Sequence, residues 1–321
     1  MARWPRRGKG ADPRAGPITR ECVVWAYRLF LDREPESEVR VADKVAAWRT
    51  TRQLRVDFMT SPEFREKNPD LALTNERAVV IKEIAPGLRL FVDLSDQVVG
   101  MGIVHGSYET EELELVRRHV RAGDTALDIG ANVGLFTIHM AALVGPQGKV
   151  YAFEPSPELA ELLARSVAEN GFAGRVELVR AAVADRSGTA GLFSGHDPLN
   201  RSGSFLLRGG AVPEVPGDVL DVPVIQLDAQ PLRRPVSLVK IDVEGAEPLA
   251  LRGAERLLRE DRPIILAEIN PAQLARVAGT TPAAFLAEMG ARGYACRTLD
   301  GRPASPELAG GGILSVVFTP Q

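Results

Sequence analysis

The sequence predicts an α/β fold: a seven-stranded, mostly parallel sheet with helices on both faces, preceded by a small helical domain. From residue 110 onward, short apolar runs rich in Val and Ile alternate with amphipathic stretches. This pattern is typical of strand–helix units around a buried parallel sheet. Residues 18–67, by contrast, show helical spacing and helix start signals without a strand pattern.

Composition and charge exclude several classes of function. The 321 residues carry a net charge of −3 and a pI near 5.9, so no overall positive field attracts nucleic acid. No apolar run reaches the roughly 20 residues that span a bilayer. The two cysteines, Cys22 and Cys296, lie far apart and suggest no disulfide framework. We expect a cytoplasmic protein without a nucleic-acid or membrane partner.

The first 70 residues are expected to form a tail and a helical module. Residues 1–17 are basic and lack the apolar core of a signal peptide, which predicts a disordered tail. Residues 18–70 are predicted to be helical, with N-caps at Thr19 and Ser61. The stretches "YRLFLDREPE" and "FMTSPEF" resemble a small helical module of unknown function found in many bacterial proteins. We expect it to pack, to dock a partner or to form a homo-oligomer.

The remaining residues, 71–321, are predicted to form the α/β domain. Residues 77–104 hold two alternating runs around Pro86-Gly87, which predict a hairpin that acts as a lid or platform. Residues 186–222 are rich in Gly, Ser and Pro, and we expect them to be a long loop facing the substrate. Seven strands are predicted at "TALDIG", "KVYAFEP", "RVELVRAAVAD", "VSLVKIDVEG", "PIILAEI", "YACRTL" and "GILSVVFTP", the last two as an antiparallel pair.

The stretch "ALDIGANVGLFTI" joins the first of these strands to a helix through an acid and two glycines. Ligands of open α/β sheets bind beyond the carboxyl ends of the strands, and Gly130 and Gly134 allow close approach to the backbone. A dinucleotide site would need the middle glycine of G-x-G-x-x-G, and Asp128 would repel a diphosphate. S-adenosylmethionine is cationic at sulfur and favours a carboxylate, so it is the predicted ligand.

Glu154 ends the second strand, twenty residues after Gly134. In nucleotide-binding α/β folds an acid at about this offset accepts hydrogen bonds from both ribose hydroxyls. The alternative interpretation is a charge that stabilises the N-terminus of the helix capped by Ser156.

Together, "ALDIGANVGLFT", "VYAFEPSPE" and "VKIDVEGAEPLALRGAERLL", with "GSYETEELELV" before them, resemble the FkbM family of S-adenosylmethionine-dependent methyltransferases. The resemblance spans residues 100–270. It implies a Rossmann-like class I methyltransferase fold and methyl transfer to a hydroxyl of a sugar or polyketide-type natural product. The cofactor-binding residues that it implies are Tyr108, Glu109, Asp128, Gly130, Ala131, Asn132, Gly134, Thr137, Glu154, Pro155, Ala182, Val183 and Asp242.

Acidic residues at the end of the fourth strand, in "KIDVEGAE", are the candidate catalytic groups. Methylation of an alcohol requires removal of the hydroxyl proton, and a carboxylate whose pKa is raised by neighbouring acids can accept it. Asp242 and Glu244 are the predicted bases, and His196 is a further candidate if its loop closes over the site.

A metal-assisted reaction is the alternative. Asp242, Glu268 and Asn270 follow two strands expected to be neighbours, and oxygen ligands suit Mg²⁺ or Ca²⁺. Glu268 and Asn270 could instead bind substrate hydroxyls or cap the next helix. Two other interpretations also stay open. One is methylation of nitrogen or of a carboxylate, and the other is a non-catalytic scaffold for glycan biosynthesis that binds the cofactor.

Overall fold

A computed structural model describes residues 18–48, 51–67, 79–96, 98–195, 203–207, 217–305 and 312–321. Contacts between residues divide the chain into two units, Met1–Arg77 and Ala78–Gln321. Within the described residues, no helix combines the length and apolar composition needed to cross a membrane.

The first unit is helical. Its helices are α1 Arg20–Leu31, α2 Glu38–Ala47, α3 Thr51–Thr60 and α4 Pro62–Lys67. The Thr19 hydroxyl accepts a hydrogen bond from the Cys22 N–H (3.3 Å), and the Ser61 hydroxyl accepts one from the Phe64 N–H (3.1 Å), as N-caps do. Tyr27 and Phe58 pack edge to face in the core, with their ring centroids 4.8 Å apart.

The second unit begins with a hairpin. Strands β1 (Val79–Ala85) and β2 (Leu88–Asp93) pair antiparallel, and helix α5 (Val99–His105) follows. The Phe91 N–H donates to the Ser166 hydroxyl at 3.0 Å. The hairpin therefore packs against the helix that contains Ser166, and the last part of the predicted hairpin segment 77–104 is helical instead.

The central sheet has seven strands, as predicted. Its spatial order is β12-β13-β11-β10-β3-β4-β5, with β13 antiparallel to both of its neighbours and the other pairs parallel. These strands are β3 Thr125–Ile129, β4 Lys149–Phe153, β5 Val176–Val179, β10 Val236–Ile241, β11 Ile264–Ile269, β12 Tyr294–Thr298 and β13 Leu314–Pro320.

Helices cover both faces of this sheet, because successive strand residues point to opposite sides and both sides are apolar. In β3, Ala126 belongs to one buried cluster and Leu127 to the other. The α/β class is thereby confirmed. The helices are α6 Thr110–His119, α7 Leu135–Val144, α8 Pro157–Glu169, α9 Glu247–Arg252, α10 Glu255–Glu260, α11 Pro271–Val277 and α12 Pro282–Ala291.

A second, four-stranded sheet was not predicted. Its strands, in the order β6-β9-β7-β8, are β6 Ala182–Val183, β7 Gly188–Gly195, β8 Ser204–Leu206 and β9 Gly217–Ile225. The prediction of a loop over residues 186–222 is therefore wrong for its described part, and the predicted third strand splits between two sheets. Gly and Pro are depleted in strands, and here the pairing of β7 with β9 outweighs that preference.

Candidate functional site

A cavity of about 720 Å³ opens at the carboxyl ends of the parallel strands. This volume lies within the roughly 300–1,000 Å³ typical of small-molecule sites. Its wall is formed by the turn after β3, by the segments that follow β4, β10 and β11, and by the second sheet. The predicted site residues that line it are Tyr108, Glu109, Gly130, Asn132, Glu154, Pro155, Ala182, Val183, Asp242, Glu244, Glu268 and Asn270.

Close packing explains the glycines in the turn after β3. Gly130 has φ +79°, and a Cβ added there would lie 1.8 Å from the Asp242 carbonyl oxygen. Gly134 has φ +96°, and its Cβ would lie 2.3 Å from Leu163 Cδ1. Any larger residue would push the turn away from the neighbouring strand and helix. Glycine therefore holds the turn, and with it Asn132, at the cavity wall.

Glu154 is a buried carboxylate held in one orientation. It is 5% exposed; one oxygen accepts a hydrogen bond from the Asn132 N–H and the other from the Ser156 N–H, both at 2.8 Å. Burial raises its pKa to about 7. Each carboxylate oxygen has a second lone pair. The side chain can therefore accept two further hydrogen bonds from a ligand in the cavity.

Asp128 and Thr137 lie beside each other under the site, not in its wall. Asp128 is fully buried, and the Thr137 hydroxyl donates to its Oδ2. Oδ1 has no hydrogen-bond partner among the described residues. Burial raises the pKa of Asp128. Ala131 and Gly134 are likewise absent from the cavity lining. These four predicted residues therefore shape and support the turn and do not line the cavity.

Lys240 is a cation that the sequence interpretation did not select. It is 6% exposed, its Nζ lies 3.2 Å from Asp242 Oδ2, and it sits 4.8 Å from the centroid of the Phe136 ring. Burial alone would lower its pKa, but the carboxylates of Asp242 and Glu109 outweigh burial and raise it. Lys240 therefore stays charged. A lysine within the apolar run "VSLVKI" was the available signal, because a buried charge requires a partner.

Glu109 and Tyr108 precede α6 and contribute to the wall. Glu109 has φ +46°. Burial raises its pKa to about 7, although the Lys240 charge opposes that change. Burial and the Glu109 charge raise the pKa of Tyr108, so its phenol is neutral. Glu109 is thus a second acid, after Asp242, that interacts electrostatically with Lys240.

Glu268 and Glu244 lie next to Asp242. Residues 241 and 267 pair in parallel, which places Asp242 and Glu268 at the same level of neighbouring strands. Burial, together with the charges of Asp242 and Glu244, raises the pKa of Glu268 to about 8. Glu244 accepts a hydrogen bond from Gln273 Nε2 at 3.3 Å, and burial raises its pKa as well.

The donors at this site do not suit the predicted metal ion. The Asn270 side chain accepts a hydrogen bond from the Gln273 N–H and caps α11. Lys240 already supplies a positive charge to Asp242. Among the described ranges, no three His, Cys, Asp or Glu side chains are grouped to hold a metal. His196, the remaining predicted base, lies outside the described residues.

The cavity fits S-adenosylmethionine better than a dinucleotide. Glu154 is placed to accept hydrogen bonds from a diol, and Phe153, Ala182 and Val183 offer apolar surface for a flat ring. A diphosphate needs cationic groups or free N–H donors. The described lining contains no Lys, Arg or His, whereas it contains seven carboxylates: Glu109, Glu111, Glu112, Glu154, Asp242, Glu244 and Glu268.

Comparisons with known proteins identify relatives of this chain. A curated relative, 31-O-demethyl-FK506 methyltransferase FkbM of Streptomyces tacrolimicus, is 33% identical over 42% of this chain and 61% of its own length. Methyltransferase sdnD of Sordaria araneosa is 29% identical over 40% of this chain and 60% of its own length. A protein-L-isoaspartate O-methyltransferase of Aeropyrum pernix is 44% identical over 18% of the chain and 22% of its own length. The chain thus spans about 60% of the first two relatives.

A solved structure, methyltransferase FkbM of Methylobacillus flagellatus, superposes with a TM-score of 0.38 at 16% identity, over 69% of this chain and 52% of that one. The family model of the methyltransferase FkbM domain matches residues 128–296, more than half of the 321 residues. This match includes the glycine turn, Glu154, the "KIDVEGAE" segment and Glu268. The chain belongs to the family of FkbM-domain methyltransferases.

Proposed function

We propose that this protein transfers a methyl group from S-adenosylmethionine to a hydroxyl of a small molecule such as a sugar or natural product. The observation that carries the proposal is one cavity lined by Glu154, which follows β4 on one side of β3, and by the Asp242 carboxylate, which follows β10 on the other side. The first side suits the ribose of the methyl donor, and the second suits the acceptor. The name of the FkbM relative, an O-demethyl-FK506 methyltransferase, supports transfer to oxygen.

Donor binding falls to the turn after β3 and the segment after β4. Glu154 accepts hydrogen bonds from the ribose hydroxyls, and its orientation is fixed by the Asn132 and Ser156 N–H groups. Ala182 and Val183 flank the adenine. When bound, S-adenosylmethionine supplies an electrophilic methyl group on a cationic sulfur.

Proton removal falls to Asp242. Its Oδ2 lies 3.2 Å from the Lys240 ammonium, which holds the carboxylate in one orientation toward the cavity. The acceptor oxygen gains the methyl group as the methyl–sulfur bond breaks, the hydroxyl proton passes to Asp242, and S-adenosylhomocysteine leaves. Glu244, oriented by Gln273, is the second candidate base.

Carboxyl methylation is less consistent with the site. The isoaspartate methyltransferase relatives match 17–32% of this chain, less than the FkbM relative does, and an anionic acceptor would meet the acidic wall. Amine methylation requires a deprotonated amine, which the same carboxylates disfavour. A non-catalytic scaffold would not need the acidic segment "KIDVEGAE", which is intact in this chain.

An acceptor screen with methyl-labelled S-adenosylmethionine tests the proposal. We expect label in an O-methyl product, identified by NMR, and we expect Asp242→Asn to reduce kcat by about 10²–10⁴-fold, the usual contribution of a general base. Exposed Glu161 pairs with Arg180 on the surface, so Glu161→Gln is a matched control and should keep the wild-type rate. Product labelled on nitrogen, or an unchanged rate in Asp242→Asn, would refute the assignment.

A further inference from the structure

The cavity has an unbalanced charge. Seven carboxylates line it, and its described wall has no basic side chain. Lys240 is close by but is held against Asp242. Arg276 is exposed and lies over the Phe205 ring, 5.0 Å from its centroid, and is not in the lining. A phosphate or carboxylate on the acceptor would therefore meet repulsion from the described wall, which itself supplies no cation.

Most of the inner carboxylates have a partner. Glu154 binds two backbone N–H groups, Asp242 binds Lys240, and Glu244 binds Gln273. Glu268 differs, since its side chain has no hydrogen bond or ion pair within the described part of the chain, although it lines the cavity beside Asp242. Burial and the neighbouring acids raise the pKa of Glu268 to about 8, and a cation beside this carboxyl group would favour its ionised form again. Glu268 is therefore a ready site for a ligand cation.

The second sheet contributes apolar side chains to the cavity wall. Leu192, Phe205 and Leu206 of the second sheet line it, and Phe205 packs against Phe193 with their ring centroids 5.3 Å apart. A ligand that fills this space presents carbon atoms to the second sheet and polar groups to the strand ends.

We propose that the acceptor is a hydroxylated amine whose ammonium group binds Glu268 while its hydroxyl faces Asp242. This inference rests on the proposed function and specifies its substrate class. A carboxylate at hydrogen-bond distance favours the protonated form of the amine, which has no lone pair and cannot attack a methyl group. The same contact therefore orients the acceptor and directs methylation to oxygen.

Calorimetry with three sugars that differ only at C6 tests the inference: 6-amino-6-deoxyglucose, glucose and glucuronic acid. Each is titrated into protein saturated with S-adenosylhomocysteine, so the result does not depend on methyl transfer. We expect the amine to bind about 10- to 100-fold more tightly than glucose, the gain expected of a charge-assisted hydrogen bond. Glucuronic acid should bind more weakly than glucose.

Glu268→Gln should abolish the preference for the amine over glucose, while the surface variant Glu161→Gln should keep it. Equal affinities, no binding of the amine, or tighter binding of the acid would overturn the inference, and these three results need no variant. The same sugars are then assayed for labelled product. Amine binding without an O-methyl product would refute the proposed function alone, and methylation of glucuronic acid but not of the amine would refute this inference alone.

Discussion

Replacing Lys240 by methionine removes the positive charge from a buried acidic cluster while keeping much of the side-chain volume. Lys240 is 6% exposed, and its ammonium lies 3.2 Å from Asp242 Oδ2, with Glu109 and Asp128 also acting on it. Removing one partner of a buried ion pair costs about 3–5 kcal/mol, because the other charge is left uncompensated. We expect Lys240→Met to lower the free energy of unfolding of the second unit by this amount near pH 8.

The loss of unfolding free energy in Lys240→Met should depend on pH in a definite direction. The folded-state pKa of Lys240 is raised, so its stabilising contribution is complete below the ordinary lysine pKa and is lost only as pH rises through the folded value. In the variant, the remaining acids have pKa values raised above those in the unfolded chain, and protonation relieves their repulsion. The deficit should therefore shrink as pH falls from about 8 to about 5.

Urea unfolding monitored by circular dichroism measures this deficit. All three tryptophans, Trp4, Trp25 and Trp48, belong to the first unit, so tryptophan fluorescence follows the unfolding of that unit separately. The transition measured by fluorescence should be the same in Lys240→Met as in the wild type. Lys149→Met is the control, because Lys149 is partly exposed and its pair with Glu177 should contribute about 0–1 kcal/mol. A deficit below about 1 kcal/mol, or one independent of pH, would refute the argument.

Two further predictions concern the donor side. Gly130→Ala should destabilise the second unit by about 3 kcal/mol or more in urea unfolding, since its Cβ would meet the Asp242 carbonyl oxygen at 1.8 Å. The control is Gly171→Ala, which should cost only about 1–2 kcal/mol because Gly171 has φ +66° but no neighbour within 4 Å. Equal losses of stability in the two variants would contradict the packing argument. Glu154→Gln should weaken S-adenosylmethionine binding by about tenfold in calorimetry. Because the pKa of Glu154 is raised to about 7, wild-type affinity should increase from about pH 6 to about pH 8, whereas a flat wild-type profile would argue against a role for the ionised carboxylate.

Local signals predicted much of the fold and drew attention to two features of the cavity wall. Strand–helix alternation gave the seven-stranded sheet, and the last two strands pair antiparallel as expected. The glycine turn and Glu154 were identified by spacing within thirty residues of sequence, and the family match confirms the FkbM resemblance. Such features depend on neighbours along the chain, so a single sequence contains them.

The second sheet and the acceptor side were not predictable in this way. Strands β7 and β9 are rich in Gly or interrupted by Pro223, and they become strands only by pairing across a long segment. Their side chains, Leu192 among them, form a wall of the cavity. The sequence favoured a loop here because its composition is typical of loops.

The sequence by itself determined the fold class, the turn at Gly130 and the acid at Glu154, because periodicity, backbone freedom and strand ends are local properties. Only the tertiary structure decided the partners of each charge: Lys240 against Asp242, Thr137 against a buried Asp128, and Glu268 beside Asp242 without a partner among the described residues. Charges interact through space at distances set by strand register and burial, and neither can be read from residue spacing alone.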